Sequence, residues 1–343
     1  MFKGDRKVGV HMSKKVSVGG QAVIEGVMMR GSKGLATAVR LPDGTIEIKK
    51  ENYESFSKRN KIFSLPIIRG FISLIESLII GMKSLEFSAS FFDDEEEEPS
   101  KFDSWFKNTF KEKSNDVIMG ISLVVSLAFA ALLFFILPTV LTSFVKSNIT
   151  KNTIILNVIE GIIRVAVFLL YIYLVGKMED IKRVYQYHGA EHKTIFCYEA
   201  GEELTPENAK KFSRFHPRCG TNFLFLVMVI SIIIFSFTGW QSVGQRILWR
   251  LLLLPIVSGV TYEVIRWLGK SNNSFASFVA APGLKLQGIT TKEPDLSMLE
   301  VAIASLKAAE GIEDNITEED KGNSATDEEN LMNIKAGSEA INI

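Results

Sequence analysis

The sequence is poor in cysteine and histidine, has no excess of positive over negative charge and lacks a nucleotide-binding glycine motif. Its 343 residues include two cysteines and four histidines, and 39 basic residues balance 39 acidic ones. With a formal net charge of zero, we predict no nucleic-acid partner. No Gly-Lys-Ser/Thr follows Gly19 and Gly20, which excludes a phosphate-binding P-loop at that place.

Apolar residues are abundant and occur in long runs. The hydrophobic fraction is 47% and the mean hydropathy is +0.17. About 20 apolar residues suffice to cross a bilayer as a helix. Four segments are predicted as spans, namely Val117–Leu137, Thr153–Val175, Phe223–Thr238 and Ile247–Leu268. The first begins too far along the chain for us to expect a signal peptide.

Basic residues are distributed unequally between the connections of these spans. The connection 176–222 carries eight lysines and arginines, whereas Thr139–Asn152 carries two. The positive-inside rule therefore predicts a multi-pass protein of the cell membrane with both termini and loop 176–222 in the cytoplasm. Cys197 and Cys219 then lie in a reducing compartment, where we expect no structural disulfide. The lipid bilayer is the expected partner, with membrane proteins or a second copy as open alternatives.

The segment before the first span predicts a small β-rich unit and one amphipathic helix. Apolar residues alternate in Leu35–Leu41 and Thr45–Lys50 around a Pro-Asp-Gly turn, which predicts a hairpin. Val16–Met29 is predicted as a strand with a close-packed glycine segment. Pro66–Phe92 places its polar residues on one helical stripe, so we expect a helix lying in the membrane interface. A fifth spanning helix is the alternative.

The predicted fold is therefore an α-helical polytopic membrane protein. It has four transmembrane helices, a small cytoplasmic β-rich N-terminal unit and an amphipathic interfacial helix. The predicted units are the β-rich unit 1–60, the interfacial helix 61–92, a charged linker 93–114, hairpins 115–175 and 223–269 around loop 176–222, a C-terminal segment 270–311 and a disordered acidic tail 312–343. Within the C-terminal segment, Ser271–Thr291 is predicted as loop and Asp295–Ala309 as helix.

Loop 176–222 contains the strongest chemical signal of the sequence. His188 and His192 are spaced i, i+4 and share one face of a helix. His216 and Cys219 add a nitrogen and a sulfur donor, and this set suits zinc or another divalent transition metal. Glu191 precedes the second histidine and completes the pattern H-x-x-E-H, which makes it a candidate general base. Alternatively, the histidines are simple interfacial residues, or Cys219 is a nucleophile paired with His216.

Four further charged residues are candidates for a functional role. Glu160 and Arg164, spaced i, i+4 inside a predicted span, are most economically a mutual ion pair, and otherwise line a substrate or ion path. Glu25 lies in an apolar glycine-rich segment and needs a partner, either the metal shell or an arginine such as Arg30. Glu263 lies near the end of the last predicted span. Cys197 lies among apolar residues and is predicted to pack in the core.

Several motifs carry a family resemblance. They are Gly19–Arg30, Tyr187–Thr194, His216–Thr221, Ala281–Leu284 and Thr290–Pro294. Together they resemble the YqhQ-like bacterial membrane proteins over roughly residues 17–310. That family has no known function and is described as a predicted metal-dependent enzyme. The resemblance implies a metal site without supplying a reaction.

Three classes of function remain open from the sequence. The favoured one is a membrane-bound zinc enzyme, a hydrolase at the cytoplasmic face, which requires an open coordination position and a positioned Glu191. The second is a non-catalytic assembly or regulatory factor whose zinc, bound by all four donors, clamps loop 176–222. The third and weakest is a transporter, for which Glu160 and Arg164 are the only indication.

Overall fold

The computed structural model describes residues 18–56, 61–92, 114–217, 219–238, 242–268, 271 and 274–312. Its strands are β1 Gly19–Val23, β2 Gly26–Arg30, β3 Leu35–Arg40 and β4 Ile46–Glu51. Its helices are α1 Ile68–Ala89, α2 Ser114–Ala131, α3 Leu137–Asn148, α4 Thr153–Val175, α5 Glu179–Ala200, α6 Pro206–Lys210, α7 Gly220–Ser236, α8 Val243–Leu268, α9 Ser274–Thr290 and α10 Leu296–Glu310. Apart from residues 114 and 312, the predicted charged linker 93–114 and acidic tail 312–343 lie outside the described residues.

The four strands form one antiparallel meander in the order β1-β2-β3-β4. The predicted hairpin between β3 and β4 is confirmed, and Asp43 stabilises its turn by accepting a hydrogen bond of 2.9 Å from the Thr45 amide. The prediction of a single strand over Val16–Met29 is wrong. The chain turns at Ile24 and Glu25, where Glu25 has a φ of 48°, and the two halves pair with each other.

Helices α5 and α10 cover one face of this sheet and form the main apolar core with it. The predicted C-terminal helix is confirmed as α10, which begins where Asp295 accepts a hydrogen bond from the Met298 amide and ends at Gly311 in the left-handed conformation. Its inner face includes the buried residues Leu299, Ala302 and Leu306. This core fixes the position of α5, which carries the histidines.

Helix α1 is the predicted amphipathic helix, and its polar side faces the protein. The buried residues are small or polar: Gly70, Glu76, Gly81, Ser84 and Ser88. Gly70 contacts α8, the other small residues contact the sheet and its β1–β2 turn, and Glu76 accepts hydrogen bonds from Ser55 and Phe56. The exposed side carries Ile75, Leu78, Ile79, Met82 and Leu85. An apolar exposed face opposite a polar buried one is the arrangement expected of a helix that contacts lipid.

Three helices in the described residues are long and apolar enough to cross a membrane: Val124–Asn148, Thr153–Val175 and Gly244–Leu268. The chain thus has the apolar helices of a multi-pass membrane protein. The third segment predicted to span forms α7, a shorter apolar helix of 17 residues. The count of four spans therefore stays a prediction.

Two segments predicted as connections are helical, and tertiary contacts explain both. The helix of the first span continues through a π-helical turn, Leu132–Ile136, and α3 to Asn148, so most of the predicted loop Thr139–Asn152 is helix. Pro138 offers no N–H to the Phe134 carbonyl, which instead accepts a hydrogen bond of 3.0 Å from Arg164 Nε. The predicted loop Ser271–Thr291 is mostly α9, where packing against α7 outweighs the cost of Pro282.

Candidate metal centre

Helix α5 carries the candidate site between the β sheet and the membrane helices. It runs over 22 residues, from acidic side chains in its first turn to Gly201 in the left-handed conformation after its end. Its C-terminal half is buried although it contains histidine, glutamate and lysine. At Gly189 the backbone of Lys292 approaches so closely that a Cβ atom would clash with the Lys292 carbonyl. This approach brings the end of α9 against His188.

Three of the predicted donors meet at one point. The ligand atoms of His188, His192 and Cys219 all lie within 4.8 Å of one another. His188 Nδ1 donates to the Thr290 carbonyl at 2.9 Å, which leaves the lone pair on Nε2, 3.2 Å from Cys219 Sγ. A backbone carbonyl that fixes the tautomer of a histidine in this way is the usual support of a metal ligand.

His192 is held in the same manner. Its Nδ1 donates to the Arg214 carbonyl at 2.5 Å, and the side chain is 1% exposed. Its Nε2 is buried and has no hydrogen-bond partner among the residues that the structure describes. A buried lone pair without a partner is costly unless a cation accepts it. The residues present therefore fit a transition-metal ion.

Cys219 completes this three-donor cluster from the start of α7. Its Sγ caps the helix by accepting from the Thr221 amide at 3.4 Å, and it lies 3.2 Å from Thr221 Oγ1. The N-terminus of a helix favours negative charge, as a metal-binding sulfur requires. Cys197, the other cysteine, packs in the apolar core as predicted, and burial raises its pKa to about 11.

His216 lies beside the three-donor cluster and is not one of its members. The side chain of Gln287 forms two hydrogen bonds with the backbone of His216, accepting from its N–H and donating to its carbonyl, each at 2.8 Å. The ring packs against Phe196 in a tilted arrangement with centroids 4.6 Å apart, and its Nε2 lies 3.8 Å from Glu199. Its centroid is 5.6 Å from that of His192. A role as fourth ligand stays a prediction.

Glu191 projects from α5 towards the sheet. The residue is 5% exposed, and a Cβ atom added at Gly20 would lie 3.0 Å from its carboxyl carbon. Burial raises the pKa of Glu191, while the charge of His188 and the backbone of Gly20 act in the opposite direction. The glycine-rich segment of the N-terminal motif therefore packs directly on the candidate general base.

The partner of Glu25 is an arginine, although not the one suggested by the sequence. Both carboxylate oxygens accept from the guanidinium of Arg183, and the Tyr187 hydroxyl donates to Glu25 at 3.3 Å. Burial raises the pKa of Tyr187. Arg30 instead lies over the ring of Tyr53 at 4.4 Å. Glu25 thus joins β1 and β2 to α5 through Arg183.

Two charged sets lie among the membrane helices. The predicted ion pair between Glu160 and Arg164 is confirmed at 3.0 Å. Arg246 and Arg250 from α8 also contact Glu160, and their spacing of i, i+4 was the signal available in the sequence. Elsewhere, Glu263 pairs with Arg69 of α1 through two bonds of 2.6 and 2.5 Å.

A buried lysine that sequence reasoning missed links α5 to the chain segments around the site. Lys193 follows His192, is 4% exposed, and donates to the carbonyls of Lys210 and Phe212 at 3.0 and 2.9 Å. It also pairs with Glu293 at 2.5 Å. These bonds hold the segment that presents the Arg214 carbonyl to His192. The sequence motif places Lys193 beside the histidine but gives no sign of its burial.

Comparison with known proteins identifies a family and a relative whose functions are unknown. A family model described as "Protein of unknown function (DUF1385)" matches residues 65–311. The chain is 34% identical over 294 residues to the uncharacterized protein YqhQ of Bacillus subtilis (strain 168), a match that covers 84% of this chain and 90% of that protein. No solved structure matches the chain significantly. The matched range includes all three donors of the cluster.

Proposed function

Because the chain belongs to the DUF1385 family of proteins of unknown function, we propose its function from the site: a membrane-bound zinc hydrolase acting at the cytoplasmic face. The observation that carries the proposal is the three-donor cluster of His188, His192 and Cys219. Two imidazoles and one thiolate suit zinc, or another divalent transition metal. Three protein ligands with one open position are typical of catalytic zinc, whereas four are typical of structural zinc.

The position of His216 favours the catalytic arrangement. Gln287 holds its backbone and Glu199 lies near its Nε2, so the ring has neighbours other than the three-donor cluster. Zinc at such a site supplies Lewis acidity, which lowers the pKa of water to about 7. Glu191 is the carboxylate nearest in sequence to both histidines; burial raises its pKa, and the charge of His188 lowers it. We assign it the role of moving the proton.

A structural zinc clamp is the second candidate. The observation in its favour is that the donors come from two elements, α5 and the start of α7, and that His216 lies next to His192 with ring centroids 5.6 Å apart. Rotation of His216 towards the cluster would close the coordination shell and join the connection that carries His216 and Cys219 to α5. The protein would then be an assembly or regulatory factor. The response of zinc content to His216→Ala separates the two candidates.

The cytoplasmic orientation belongs to the proposal, and cysteine labelling tests it. Ser147, Ser213 and Ser242 are all exposed in the fold, so a cysteine at each can react wherever reagent reaches it. With both termini inside, an impermeant maleimide applied to intact cells should label Ser147→Cys and Ser242→Cys and leave Ser213→Cys unlabelled. Labelling is read from the purified protein.

Two controls accompany this experiment. Ser213→Cys must become labelled once the cells are permeabilised, which shows that the site is reactive. The parent protein gives the background from Cys197 and Cys219. Cys197 should contribute little because it is buried with a pKa raised to about 11. Strong labelling of Ser213→Cys in intact cells would reverse the orientation and place the metal centre outside.

A further inference from the structure

A cluster of three arginines around one glutamate lies inside the membrane helices, far from the three-donor cluster in sequence. Glu160 accepts a hydrogen bond of 2.9 Å from Thr139 and pairs with Arg164 at 3.0 Å and Arg246 at 3.3 Å. Arg250 also donates to the same carboxylate. Glu160 is 1% exposed, and Arg246 and Arg250 are each 7% exposed. We call these four charged residues the arginine cluster.

The arginine cluster has more positive than negative charge. Three guanidinium groups and one carboxylate leave an excess of two positive charges. The sequence offers no second acid near these arginines, because Glu160 is the only acidic residue within 117–178 and 208–262. Glu263, near the other end of α8, pairs with Arg69. Uncompensated charge is costly in a medium of low dielectric constant. A further anion would remove this cost.

The location of the arginine cluster restricts the source of that anion. Glu160 and Arg250 are each the eighth residue of their helix, about 10 Å from its start at 1.5 Å per residue. Arg246 lies one turn nearer the start of α8. Helix α4 leads at its other end into α5, so the arginine cluster lies at the end of the bundle opposite the histidines. An anion entering from this end meets Arg246 first.

We infer that the arginine cluster is a binding site for a phosphate-bearing anion. The planar guanidinium forms paired hydrogen bonds that match phosphate oxygens, and it is the preferred group for such recognition. Glu160 holds the three arginines together in the absence of the anion and limits their mutual repulsion. Two sources carry this chemistry, the phosphodiester of an anionic phospholipid and free phosphate.

Thermal unfolding of the purified full-length protein in a neutral, phosphate-free detergent tests the inference. Phosphatidylglycerol at about 100 times its Kd should raise the Tm by roughly 3–5 °C, whereas phosphatidylcholine should have little effect. Inorganic phosphate is the third addition. A shift with phosphatidylglycerol alone assigns the site to a lipid headgroup, and a shift with inorganic phosphate assigns it to free phosphate. Equal shifts with both lipids, or no shift with any addition, would overturn the inference.

Variants of the same helix separate anion binding from a structural ion pair. Arg246→Gln leaves Glu160 with Thr139, Arg164 and Arg250, so we expect the variant to fold. Its affinity for the anion should be at least about tenfold lower than that of the wild type. Arg266→Gln removes the same charge from the other end of α8 and should bind like the wild type. An Arg246→Gln variant that responds like the wild type contradicts the inference.

Glu160→Gln supplies a test of opposite sign. Removing the carboxylate increases the positive excess, so the anion should stabilise this variant at least as much as the wild type. A purely structural ion pair predicts a destabilised variant without any response to the anion, and that result would overturn the inference. This variant also decides the question should Arg246→Gln fail to fold. Neither outcome depends on zinc, so the proposed hydrolase is tested separately.

Discussion

Purified His192→Ala protein should contain less than about a tenth of the zinc found in the wild type, which we expect to bind about one zinc per chain. Mutation of a residue that hydrogen-bonds to a metal ligand typically lowers the affinity for the metal by roughly 10–100-fold, and loss of the ligand itself lowers it further. Cys219→Ala should behave in the same way, because its sulfur lies 3.2 Å from His188 Nε2. Elemental analysis of the purified proteins provides the measurement.

Two further variants make this experiment specific. Cys197→Ala removes the other cysteine, which lies in the apolar core, and should leave the zinc content unchanged. His216→Ala should retain zinc if the site has three protein ligands, and should lose it if His216 is the fourth ligand of a structural clamp. Equal, near-zero metal in the wild type and in His192→Ala would refute the metal site altogether.

Glu191→Gln should keep zinc and fold while lowering activity by about 10²–10⁴-fold, the usual contribution of a general base. The amide is nearly isosteric with the carboxylate, and its oxygen can still accept the hydrogen bond from the backbone of Gly20. However, it cannot take up a proton. Complementation of a deletion strain measures function, and it is read beside protein level and zinc content.

Glu179→Gln is the matched control for this substitution. Glu179 lies on the same helix, in its exposed first turn, and its loss should leave complementation intact. Full complementation by Glu191→Gln with normal zinc would contradict the catalytic assignment and favour the assembly factor. A Glu191→Gln protein that loses zinc would show instead that the buried carboxylate supports the ligands.

Local patterns predicted those elements that depend on local interactions. The β3–β4 hairpin follows from alternation around Pro42-Asp43-Gly44, and α10 follows from its apolar spacing between Asp295 and Gly311. Helix α9 was missed because Ser, Gly and Pro indicate a loop, whereas contacts with α7 decide its conformation. The sequence had no means of showing those contacts.

In the candidate site, too, local spacing could be predicted from the sequence and long-range contacts could not. The i, i+4 spacing of His188 and His192 predicted a shared face, and the fold adds Cys219 to it. Gln287, which holds the backbone of His216, lies 71 residues away from it, and the partner of Glu25 lies 158 residues away. Pairings over such distances follow from the packing of whole elements and leave no mark in local sequence.

Helix α1, whose polar side faces the protein, has a consequence for the order in which the chain assembles. Its polar stripe is covered by the sheet and by α8, and its Arg69 pairs with Glu263, 194 residues later in the chain. Until α8 has been synthesised, α1 has no partner for this stripe, and the nascent chain must tolerate an uncovered polar face beside the membrane. Helix α1 therefore reaches its final packing only after α8 has been made, although α1 precedes α8 by more than 150 residues.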